Sequence, residues 1–135
     1  MRSIHVALAF AAVTLAGCNS KPAAAQAPGA EITATMGAQL DSLGAMTPAQ
    51  MTAGLPAHQA LASQMMTSMS TNMQGMRMQP NAGWMALTDS LRQDLTAMPS
   101  LNGGALESRM QSHIVRMRRM MTMYQGMMPG GMMPR

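Results

Sequence analysis

The chain has 135 residues, 47% hydrophobic but only 2% aromatic, with one cysteine and 21 methionines. Its net charge of +4 is too weak a field to argue for nucleic acid, and Phe10, Trp84 and Tyr124, the only aromatics, offer no base-stacking platform. A single cysteine excludes an internal disulfide and a multi-cysteine metal cage.

Residues 1–17 open with a basic residue, Arg2, and continue as "IHVALAFAAVTLAG". That apolar run is shorter than the roughly 20 residues a spanning helix needs, and small residues follow it. The layout is that of a secretory signal peptide, which contributes nothing to the mature fold. Leu15-Ala16-Gly17-Cys18 resembles the lipobox of bacterial lipoproteins. The resemblance implies cleavage before Cys18 and attachment of fatty acyl chains such as palmitate to that residue. Several acyl chains anchor stably, because each buried methylene contributes about 0.8 kcal/mol. The partner implied is therefore a membrane, held through acylated Cys18. Asn19 stands where aspartate favours inner-membrane retention in the enterobacterial form of the family, so the expected location is the periplasm-facing envelope, outer membrane before inner. The plainer alternative is an ordinary signal peptide with a chance cysteine.

Cys18 and the Ala/Pro-rich stretch to residue 30 read as an acylated, flexible tether. Residues 31–128 carry apolar patterns at helical spacing and form one small methionine-rich domain. The first helix covers 31–43, with Ile32, Met36, Leu40 and Leu43 on one face and Gly44 as its stop. Thr47-Pro48-Ala49-Gln50 reads as a helix start with a capping box. Gly54-Leu55-Pro56 is expected to cut this piece short or kink it. A long helix then runs from Pro56 to Met78 with the stripe His58, Leu61, Met65, Met69, Met73 and Met76. Gln79-Pro80-Asn81 breaks the pattern.

The third helix, 82–98, places Trp84, Leu87, Leu91, Leu95 and Met98 together, and Pro99 ends it. In the fourth, Leu106, Met110, His113, Met117, Met120, Tyr124 and Met127 alternate steps of four and three, an a/d seam. No stretch alternates with period two. Short links favour antiparallel neighbours. The expected class is all-α: a small antiparallel bundle of three to four helices, with a disordered N-terminal tether and a disordered Met/Gly/Pro tail at 129–135.

Methionine is an unbranched gap-filler of irregular cores, which accounts for the seam positions. It accounts less well for the doubled pairs Met65-Met66, Met120-Met121 and Met127-Met128, and not for Met132-Met133 in the tail. Thioethers also select Cu(I) and, by the same softness, Ag(I), and they need no deprotonation. His58 and His113 each offer an imidazole. Met110-Gln111-Ser112-His113 with Met117 resembles the Met-x-x-His motifs of helical periplasmic silver- and copper-binding proteins. Aligning the starts of the second and fourth helices, taken as parallel, sets His113 level with Met65 and Met66. The candidate ligands are therefore Met110, His113, Met117, Met65 and Met66. The competing reading of His113 is a hydrogen-bonded packing residue that fixes register.

Met46-Thr47-Pro48-Ala49-Gln50 resembles the Leu-Thr-x-x-Gln motif of helical envelope-stress chaperones, although a capping box alone explains it. Arg116-Met117-Arg118-Arg119 reads as a solvated face. No nucleophile elbow, His-Glu-x-x-His or phosphate loop occurs, so catalysis is not expected. Three roles remain: coordinating copper(I) or silver(I), packing adaptably against an unidentified protein partner, and sacrificial oxidation to sulfoxide.

Overall fold

The computed structural model describes residues 29–128. They form α1 (Ala30–Gly44), α2 (Pro48–Gly75), α3 (Ala82–Ala97) and α4 (Gly103–Met127), with a 3-10 turn at Met98–Ser100. No strand occurs among the described residues, and none of their helices is long and apolar enough to cross a membrane. The segments read as signal peptide (1–17) and tail (129–135), Cys18 and most of the stretch read as a tether lie outside the described residues.

The architecture is a small antiparallel helical bundle. Gly29, just before α1, lies beside Asn72 near the end of α2, whereas Gln39, further along α1, reaches His58 near the beginning of α2. These two helices are therefore antiparallel. In α3 and α4, Trp84 faces Tyr124 at 6.3 Å between ring centroids, and Asp94 meets Arg109; this pair is antiparallel too. Helices α2 and α4 run parallel, since His58 meets His113 and Asn72 Nδ2 donates to the Tyr124 hydroxyl at 3.0 Å. Helix α4 packs against each of the other three. That explains why its seam is the most regular pattern in the sequence.

Local chemistry sets the helix ends. Thr47 and Gln50 form the expected capping box: the Gln50 side chain accepts from Thr47 N at 2.9 Å, and the Thr47 hydroxyl accepts from Gln50 N at 3.4 Å. The Asn81 side chain accepts from Trp84 N at 2.8 Å and starts α3. Helix α2 closes with Met78 N bonded to Met73 O and Arg77 N to Gln74 O. In this Schellman pairing Arg77 takes the left-handed position at φ 56 that glycine usually fills. Gly29 has φ 91, and a Cβ there would stand 3.2 Å from Asn72 Nδ2, so conformation and space both favour glycine.

Two expectations about α2 need correction. Gly54-Leu55-Pro56 does not divide it; one helix runs from Pro48 to Gly75 with Pro56 inside. Proline removes one hydrogen bond, to the Thr52 carbonyl. Both Thr52 and Pro56 are exposed, so water can satisfy that carbonyl, while buried Met51, Leu55 and His58 hold the helix on the core side. The helix also ends short of Met78, at Gly75. Met76 therefore leaves the stripe and is 38% exposed, while Ala62 and Met66 join the buried face.

The core holds the expected seam: Met36, Met65, Leu91, Leu106, Met110 and Met117 are fully buried. Fully burying one such side chain contributes about 1.5–3 kcal/mol. Helices α2 and α3 diverge to leave a groove of about 600 Å³, walled by Ser63, Met66, Thr67 and Thr71 on one side and Arg92 and Leu95 on the other. Beside it Gln59 Nε2 of α2 donates to Leu95 O of α3 at 2.7 Å.

Candidate metal centre

At the heart of the bundle two histidines touch. His58 from α2 and His113 from α4 are both fully buried. Their rings meet edge to face, with centroids 5.1 Å apart. Each ring is gripped from a different outer helix. Gln39 of α1 places Oε1 2.9 Å from His58 Nδ1, and Asp94 of α3 places Oδ2 3.4 Å from His113 Nδ1. An amide oxygen and a carboxylate oxygen only accept, so each Nδ1 carries the proton and donates it, weakly in the longer His113 contact. The lone pair of each ring is thereby assigned to Nε2.

Both Nε2 atoms are buried without a hydrogen-bond partner among the described residues, as is the hydroxyl of Thr88 on α3. An unsatisfied buried acceptor costs about 1–3 kcal/mol, and an arrangement that leaves two in contacting residues calls for an explanation. Burial, and to a lesser extent the nearby His113, push the His58 pKa down to about 4. Burial also lowers His113; the Asp94 carboxylate opposes this and Arg116 reinforces it. Neutral imidazoles with a free Nε2 are the form that binds metals.

Asp94 is itself 1% exposed and is held by two guanidinium groups. Arg109 Nη1 donates to Oδ1 at 3.1 Å, and Arg116 Nη1 donates to Oδ2 at 2.6 Å. Both arginines are partly exposed, so their charge is hydrated while their tips neutralise the carboxylate. An acceptor on the far nitrogen of an imidazole, itself hydrogen-bonded in turn, is the outer-shell pattern that orients metal-binding histidines.

The sequence-derived ligands distribute unevenly. Met110 and Met117 are fully buried on α4, about one turn either side of His113 on the same face. Met65 is fully buried, but not level with His113. The contacts His58–His113 and Asn72–Tyr124 set the register of the parallel pair. They shift it by about two turns from the alignment of helix starts, placing Met65 alongside the next turns of α4, near Met117 and Met120. The shift arises because α2 begins at Pro48 rather than Pro56. Met66 forms part of the α2–α3 groove wall.

Sequence reasoning left Asp94, Gln39 and Arg116 out of the site and His58 without a partner. Asp94 carried a usable signal: it stands three residues after Leu91 and four before Met98, on the apolar stripe of α3. A carboxylate there needs a cationic or donor partner. Arg109 and Arg116 sit four residues before and three after His113, which brings all three donors to one side of α4. Arg116 is therefore only partly a solvated residue, whereas Arg118 pairs with Asp41 at the surface.

Among the described residues no group of three or more His, Cys, Asp or Glu gathers as a metal cage. A metal at the histidine pair would need other donors beside the imidazoles, and thioethers are what the surrounding core supplies. No protein-family model matches the chain, and no curated protein or solved structure matches it.

Proposed function

We propose that this chain is a lipid-anchored protein of the bacterial envelope that reversibly binds Cu(I) or Ag(I) through methionine thioethers and histidine, as a buffer or resistance accessory. The observation that carries this reading is His113: a buried imidazole with Nδ1 facing a carboxylate, Nε2 free, and Met110 and Met117 on either side. Thioethers are soft, neutral donors that favour Cu(I), and imidazole complements them. The anchoring part rests on Leu15-Ala16-Gly17-Cys18 in the sequence.

An interaction module, a chaperone-like adaptor and an oxidant scavenger would all use methionines at the surface. Eleven of the eighteen methionines in the described residues are buried, which favours coordination or packing over those roles.

Two measurements test the proposal. Protein purified anaerobically should retain copper or silver, and dialysis against Ag(I) should give saturable binding; no saturable binding would turn the reading towards a partner-binding protein. Cys18→Ser should abolish lipidation. Partitioning of wild-type mature protein into the aqueous phase without detergent would refute the anchor.

A further inference from the structure

We propose that His58 and His113 together form a bis-imidazole centre for one Cu(I) or Ag(I), completed by the thioethers of Met110 and Met117. This inference rests on the soft-metal reading above and adds a second imidazole from another helix. It would draw all four helices into the site.

The geometry has three parts. First, both rings are held at Nδ1 and open at Nε2. Gln39 on α1 and Asp94 on α3 engage the Nδ1 atoms, and neither Nε2 has a partner among the described residues. A packing histidine needs one satisfied nitrogen on each side; here two buried rings in contact share the same deficit. Second, the 5.1 Å between centroids suits a bent pair. With metal–nitrogen bonds of about 2 Å, a linear bis-imidazole would set the centroids roughly 6 Å apart. The shorter separation leaves one side of a shared ion for further donors, and Met110 and Met117, buried one turn either side of His113 on the same helix face, are the nearest thioethers along α4.

Third, the charge is suited to a soft monovalent ion. The one buried carboxylate among the described residues is occupied by Arg109 and Arg116, so no anionic oxygen is offered to a hard divalent cation. Two neutral nitrogens and two neutral sulfurs remain, the donor set of a soft ion. Gln39 and Asp94 act as positioning residues for the two rings.

The test uses the full chain, labelled with ¹⁵N-histidine, and Ag(I) as the probe in chloride-free buffer. At one equivalent, the Nε2 signals of both His58 and His113 should move while their Nδ1–H signals persist. His58→Leu, which keeps the position apolar, should weaken Ag(I) binding by roughly tenfold or more. If only His113 moves, the bis-imidazole centre is wrong while the soft-metal reading stands; if Ag(I) binds saturably with neither ring responding, the centre is wrong and coordination is by thioethers without histidine. If Ag(I) does not bind saturably, both fail. The wild-type spectrum decides the matter even if the variant does not fold.

Discussion

Lowering the pH should destabilise the metal-free protein through its buried histidines before most carboxylates protonate. His58 titrates at about 4 in the folded protein against an ordinary value of 6.5. The folded value is the lower one, so as pH falls the unfolded chain takes up the proton first and gains stability relative to the fold. The contribution is fully present above pH 6.5, is lost progressively below it, and levels off below about 4. A tenfold difference in proton affinity between the two states corresponds to about 1.4 kcal/mol. His58 alone should therefore remove about 2 kcal/mol between pH 7 and pH 5 and about 3 kcal/mol in all. The His113 pKa is lowered as well and adds to the loss. Urea unfolding at half-unit steps from pH 7.5 to 4.5 measures this directly, and His58→Leu should flatten the slope. A stability that is constant across that range, or that rises on acidification, would refute the description of two neutral buried imidazoles.

Two further substitutions probe the fold. Leu91 is fully buried on α3, so Leu91→Ala should cost about 2–5 kcal/mol. Arg118→Ala should stay within about 1 kcal/mol, because its pair with Asp41 is exposed; equal melting curves for the two variants would contradict the bundle register. Pro56→Ala should raise stability by about 1–3 kcal/mol by restoring the hydrogen bond to the Thr52 carbonyl, and a lower melting temperature would show that the proline-containing turn is needed.

Much of the fold was legible because helical packing repeats. The seam from Leu106 to Tyr124 and the stripe from Trp84 to Met98 are buried as their spacing implies, and Thr47 announces a helix start through its capping box. The passage of α2 through Pro56 was not legible. A proline's cost depends on whether the freed carbonyl faces water, and that is a tertiary fact. The site was half legible for the same reason. Met110, His113 and Met117 share a helix, so spacing places them together, whereas the His58–His113 contact depends on how two helices slide past each other. Misplacing the start of α2 moved that register and hid the pairing. Asp94 was visible as an acid on an apolar stripe, but its partners come from a helix whose arginines look like a solvated face.

The central claim is that soft metal belongs in this core, and thermal unfolding with and without Ag(I) tests it most directly. Bound metal should stabilise the wild-type fold by about 2.7 kcal/mol at a hundredfold excess over the dissociation constant. The double change Met110→Leu with His113→Leu keeps the seam apolar and should abolish the stabilisation. Equal gains in the two proteins would place the metal elsewhere, and no gain in wild type would contradict the account.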